Sequence, residues 1–175
     1  MLFLLLPAAR AENCLFDFGT KDSPLFNGAV RVTEQGGDRA KWDSAARRRA
    51  RANAIQREWT ENTHTRRKTP PPSYQTELTC DHVYSDAQDT LTLDVPPGLY
   101  KVLLLCGRAG DRAENVWDVC VSTADGASAA ATFAGGHELR ALTLDAAAGT
   151  QGLALTLSTR SQWLVNALIA VPAAE

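Results

Sequence analysis

The sequence predicts an all-β fold, an antiparallel β-sandwich, on three observations. From Tyr74 onward, short stretches of alternating apolar and polar residues recur at intervals of roughly 8–12 residues, the rhythm of sandwiches and barrels. Between them stand turn residues such as Pro96-Pro-Gly98, Asp125-Gly126, Gly135-Gly136 and Ala148-Gly149. No segment between the strands is long enough to hold the helix of a parallel βαβ crossover. A chain of 175 residues suits one domain with its own core.

The elements follow in order. Met1–Ala11 combines an apolar run, Leu2–Leu6, with Ala9-Arg-Ala11 as a small-x-small site. It reads as a secretory signal too short to span a bilayer, which takes about 20 apolar residues. Residues 12–175 are then the module, and its expected location is secreted, periplasmic or at the cell surface. Cys14-Leu-Phe-Asp-Phe18 opens it: Phe16 and Phe18 alternate with Asp17, the period of a half-buried strand. Ala29-Val-Arg-Val-Thr33 is the next apolar stretch.

Residues 34–73 differ in character. Ten of the chain's 18 Lys and Arg lie between Arg39 and Lys68. Asp43–Gln56 has the Ala and Arg content of a short helix but no apolar stripe to bury. Pro70-Pro-Pro72 closes the stretch. It is expected to be a long irregular Arg-rich insertion, and loops of that length carry function or stay unfolded. The strand series then runs Tyr74–Val83, Thr90–Val95, Tyr100–Cys106, Val116–Ser122, Ala129–Phe133, Leu139–Leu144, Leu153–Leu157 and Trp163–Val171.

Charge is nearly balanced, −2 with a pI near 5.9, so nothing global attracts the chain to nucleic acid or a membrane. Four cysteines, Cys14, Cys80, Cys106 and Cys120, could pair in three ways, which the sequence leaves open. A buried free thiol at Cys106, in phase with Val102 and Leu104, is the equal alternative. No Cys or His spacing suits zinc.

Several phrases resemble malectin-like and other galactose-binding-like carbohydrate-binding modules. Phe16-Asp-Phe-Gly19 is similar to their first strand. Leu78-Thr-Cys-Asp-His-Val83 resembles a middle strand, and Leu93-Asp-Val-Pro-Pro-Gly-Leu-Tyr-Lys-Val102 resembles their strand, Pro/Gly turn and Tyr-x-Val strand. Trp163-Leu-Val-Asn-Ala-Leu-Ile169 looks like the closing strand, and Trp42-Asp43 with Arg49 and Arg51 matches the segment before the middle strand. The ordered set covers residues 15–171. It implies a jelly roll of galactose-binding-domain type that binds glycan, attached to a catalytic domain of a secreted carbohydrate-active enzyme. It also implies a structural calcium, for which Asp17 is the candidate ligand. The chain departs from the family where a Gly-Asp pair is usual: Gly107 is followed by Arg108, and the next Asp is Asp111.

Sugar recognition needs flat aromatic faces for C–H surfaces and planar polar groups for hydroxyls. The candidates are Trp42, Trp59 and Tyr74 in or beside the basic stretch, and Arg108, Asp111 and Arg112 after the Tyr100 strand. For Trp42 and Trp59 the alternative is that the ring folds back to cap the sandwich. Trp117, Trp163 and Tyr100 are expected in the core by their phase. The Arg cluster reads either as a solvated loop or as a surface for an acidic polysaccharide, because guanidinium forks match carboxylate and sulfate. Catalysis has little support, since no nucleophile motif accompanies His64, His82 or His137. Non-catalytic carbohydrate binding is thus the expectation, without nucleic-acid or membrane partners. The competing readings are a structural or adhesion sandwich that binds protein, and a small jelly-roll hydrolase or lyase.

Overall fold

A computed structural model describes residues 12–23, 25–43, 48–52, 81–108, 117–133 and 138–173, with backbone alone at 51, 52, 108, 117 and 138. Among the described residues there are thirteen strands and no helix. Two five-stranded sheets and one three-stranded sheet share a single hydrophobic core.

The first sheet has the order β10 (Glu138–Ala148), β7 (Gly98–Arg108), β13 (Ala167–Pro172), β1 (Cys14–Phe18) and β2 (Val30–Val32). Alternation dictates its inner face. Phe16, Phe18, Tyr100, Val102, Leu104 and Leu168 are all buried. Tyr100 sinks its ring completely and satisfies its hydroxyl on the Pro96 carbonyl at 2.8 Å. Burying such a side chain contributes about 2–3 kcal/mol.

The second sheet has the order β3 (Ala40–Trp42), β6 (Asp89–Leu93), β11 (Leu153–Ser158), β8 (Trp117–Ser122) and β9 (Ser128–Phe133). The sequences Asp-Thr-Leu-Thr-Leu and Leu-Ala-Leu-Thr-Leu-Ser give the strict inward–outward burial of β6 and β11. Leu91, Leu93, Leu153, Leu155 and Leu157 face the first sheet. The small sheet is β12 (Trp163–Val165), β5 (Asp81–Ser85) and β4 (Arg49–Ala52), and it brings the fully buried Trp163 and Val83 to the core.

Three features differ from the expected pattern. The β1–β2 pair is parallel, with Phe16 opposite Val30, in an otherwise antiparallel architecture. A crossover of loop, residues 19–29, makes this possible without a helix. Second, the expected irregular insertion carries β3 and β4 where it is described, and residues 49–52 are extended rather than helical. Pairing of Arg49 to Tyr84 and Ala50 to Val83 overrides the local helix preference of an Ala/Arg stretch. Third, the closing strand is two strands, broken at Asn166.

Asn166 is a corner. Its amide donates to the Leu105 carbonyl at 2.9 Å, and its carbonyl accepts the Phe18 amide at 2.8 Å. Its side-chain amide donates to the Asp81 carbonyl at 2.8 Å. One buried residue therefore ties β7, β1 and β5 together where the chain passes from the small sheet into the first large one.

Candidate functional site

The region around Trp42 holds the described member of the predicted aromatic set. Trp42 ends β3, an edge strand, and its register opposite Leu91 turns the ring inward at the rim of the core. The indole is half-buried and its N–H donates to the Thr33 carbonyl at 2.9 Å. It stacks on Trp163, with ring centroids 5.7 Å apart and planes 26° apart, while Phe18 meets it edge-on at 6.5 Å. Trp163 is itself fixed, fully buried with its indole N–H on the Ala87 carbonyl at 2.6 Å. The ring packs at one end of the sandwich and retains partial exposure at the edge, so it both closes the core and reaches the rim.

Arg48 completes the constellation. Its guanidinium carbon lies 5.0 Å from the Trp42 ring centroid, within the range of a cation–π contact. The same guanidinium pairs with the Asp89 carboxylate, and its Nε donates to the Glu34 carbonyl at 2.9 Å. Side-chain exposure is 10% for Arg48 and zero for Asp89, so this is a desolvated ion pair at the base of the rim. Asp89 also accepts the Thr90 amide at 2.9 Å. A buried charge is tolerated because its partner and these hydrogen bonds replace water. Exposed Lys41 and Arg49 stand on the strands either side.

Neither Arg48 nor Asp89 was singled out from the sequence. They are 41 residues apart, and the only local signal was an Asp heading an alternating strand. Trp59, Tyr74, Asp111 and Arg112 lie outside the described residues. The Arg108 backbone ends β7 opposite Glu138.

Asp17 is 2% exposed, and its carboxylate accepts the Phe26 amide at 2.9 Å, which anchors the β1–β2 connection. Gly19 and Asp81 approach so closely that a Cβ at Gly19 would overlap the Asp81 carboxylate. Calcium takes six to eight oxygen ligands. Among the described residues no group of three or more His, Cys, Asp or Glu gathers as cation ligands, and one Asp17 oxygen already faces an amide donor.

Cys14, Cys106 and Cys120 are free thiols, and Cys80 lies outside the described residues. Complete burial pushes the Cys106 thiol far up, which makes it inert packing as its phase suggested. Burial also raises Cys14, against the opposing pull of Arg39, whose guanidinium is 3.6 Å from the sulfur.

Comparison with family models, with curated proteins and with solved structures gives no match.

Proposed function

We propose that this chain is a non-catalytic carbohydrate-binding module that takes glycan at the rim of the sandwich beside β3. One observation carries the reading: Trp42 sits half-buried on an edge strand, its indole locked by the Thr33 hydrogen bond, the Trp163 stack and the Arg48 cation. A preorganised aromatic surface loses little entropy when a sugar ring lies against it. Exposed Lys41 and Arg49 stand at that rim together with the exposed Asp43 carboxylate, and the two cations are the proposed partners of an acidic polysaccharide.

Trp59, Tyr74, Arg108, Asp111 and Arg112 are the further proposed contacts. The finer assignment, a jelly roll of the malectin-like or galactose-binding-like kind, belongs to the same reading. It is supported by the adjacency of the first and last strands, β1 and β13, in one sheet, and by the sequence phrases that these strands carry. Secretion and attachment to a catalytic domain are likewise proposed from those phrases and the apolar start of the chain.

Affinity electrophoresis through gels containing acidic or neutral polysaccharides tests the proposal. Retardation by an acidic polysaccharide is expected. Trp42→Ala should abolish it, with near-native circular dichroism at the assay temperature. Failure of the wild type to be retarded by any polysaccharide, with or without calcium, would sink the reading.

A further inference from the structure

Alternation along β3 sends Ala40 and Trp42 toward the core and turns Lys41 and Asp43, both exposed, to the outer face of the second sheet. The register continues one residue past the strand, because the Asp43 amide donates to the Thr90 carbonyl at 2.9 Å. Asp43 therefore stands beside Thr90 and diagonal to Thr92, whose direct neighbour is Lys41. Among the described residues β3 is the last strand of its sheet, so this corner shares an edge with the Trp42 rim.

Elsewhere on the same face polar groups satisfy one another. The Thr90 and Thr156 hydroxyls are 3.0 Å apart. Asp118 on β8 takes donors from Thr159, Arg160 and Ser161. Asp43 differs. Among the described residues its carboxylate receives one donor, the Thr92 hydroxyl, 3.1 and 3.2 Å from its two oxygens. A hydroxyl has a single proton to give, whereas an ionised carboxylate offers about four acceptor sites. The carboxylate is thus oriented by Thr92 and keeps most of its accepting capacity for solvent or a ligand. Lys41 has three ammonium donors and, among the described residues, no ion-pair partner.

Two residues along a strand span about 6.8 Å. A cation and an oriented carboxylate therefore stand about that far apart at their backbones, with the Thr92 hydroxyl beside them. A hexuronate ring has the matching layout: a carboxylate on C5 and, across the ring, hydroxyls on C2 and C3. Its carboxylate accepts from Lys41 while its diol donates to Asp43. Both contacts are charge-assisted and roughly twice as strong as neutral hydrogen bonds. A sulfate ester satisfies Lys41 but brings Asp43 no donor. A neutral sugar keeps the diol contact and forgoes the ion pair. Continuation of the same polysaccharide around the strand edge reaches the Trp42 ring.

We propose that Asp43, positioned by Thr92 and assisted by Lys41, is the specificity-determining residue of the glycan site, selecting a polyuronate with free 2,3-hydroxyls over sulfated and neutral polysaccharides. This rests on glycan binding at the β3 rim and narrows it. The sign of the Asp43 effect discriminates. Attraction of a polyanion by net charge alone grows when a carboxylate is removed; recognition of the diol is lost.

Affinity electrophoresis of the full chain tests this in polygalacturonate and alginate, each native and acetylated at O2 and O3, in dextran sulfate and in a neutral galactan. A native polyuronate should retard the wild type most. Asp43→Asn, at an exposed position, should raise that dissociation constant roughly tenfold. Thr92→Val should shrink the preference for native over acetylated polymer and Thr92→Ser should restore it, a ratio that a loss of stability alone does not move. Lys41→Gln should reduce polyuronate binding to the level of the galactan. Asp43→Asn binding as tightly as the wild type or tighter overturns this inference and leaves the glycan reading standing. So does equal retardation by acetylated polymer, dextran sulfate or galactan. A Lys41→Gln variant that self-associates, as loss of an edge-strand guard predicts, with its retardation unchanged also overturns it. A wild type retarded by no polysaccharide removes both readings.

Discussion

Asp118 gathers a cluster of hydrogen bonds from the loop of residues 159–161. It accepts from the Thr159 hydroxyl at 2.8 Å, from the Arg160 amide at 3.0 Å, and from the Ser161 amide and hydroxyl at 3.2 and 3.1 Å. Partial burial pushes its pKa up, but the Arg160 amide and the Thr159 and Ser161 donors outweigh this and hold it below the usual carboxylate range. The folded-state pKa is thus depressed. The contribution is complete above the unfolded value, near 3.9, and disappears as pH falls through the lower folded value. Asp118→Ala should cost about 1–2 kcal/mol at neutral pH and flatten the acid limb of the stability curve. Urea unfolding at several pH values checks this, and parallel curves for variant and wild type would contradict it. Arg48 and Asp89 make the other residue-scale prediction. Asp89→Asn strands a desolvated guanidinium and should cost about 3 kcal/mol, while Arg48→Met with Asp89→Leu should recover much of the loss. Guanidinium-chloride denaturation of the three variants measures it; a double variant no better than the single would show that the ion pair is not the source.

At the scale of elements, turns decide where the strands can close. The connection between β10 and β11 is clasped by reciprocal Gly149 and Gly152 backbone hydrogen bonds of 3.0 and 3.1 Å. Gly152 has φ of +96°, and a Cβ there would overlap the Leu93 carbonyl of β6. Gly126, at +94°, has open space around its missing Cβ. Gly152→Ala should therefore destabilise by more than Gly126→Ala, whose cost is about 1 kcal/mol from backbone strain alone. Equal melting-temperature shifts would refute the overlap. These turns were legible beforehand because Asp125-Gly126 and Ala148-Gly149 announce themselves locally, and β1, β6, β7 and β11 were legible because alternation is local too. The strands β3 and β4 were not. They span three and four residues, and an Arg-Ala-Arg-Ala stretch becomes extended only because β5, some thirty residues on, is there to pair with it. The break at Asn166 was equally hidden, since the bend exists to join two sheets. Trp42 was read as a loop aromatic because its neighbours in sequence are polar, whereas its neighbours in space, Phe18 and Trp163, are far away along the chain.

As a whole the molecule is an asymmetric all-β sandwich. Threonines line the outer face of β6 and β11 in the second sheet, the outer face of the first mixes Leu99, Leu103 and Val171 with Lys101, Thr143 and Asp145, and a third small sheet seals the end where Trp163 is buried. Most of the sequence phrases that resemble galactose-binding-like modules fall on β1, β5, the β6–β7 turn and β12–β13, which are scaffold, while Trp42-Asp43 and Arg49 fall on β3 and β4. The proposed chemistry depends instead on the rim beside β3, where long-range packing holds one indole at the surface. The proposal turns on whether that indole meets sugar. The most direct measurement is a ¹⁵N NMR titration of the tryptophan indole N–H signals with oligosaccharides of an acidic polysaccharide, using Trp42→Phe to assign the Trp42 peak. The account predicts that the Trp42 signal shifts in a saturable way while Trp163, hydrogen-bonded to Ala87 in the core, does not move. A Trp42 signal unchanged at saturating ligand would contradict it.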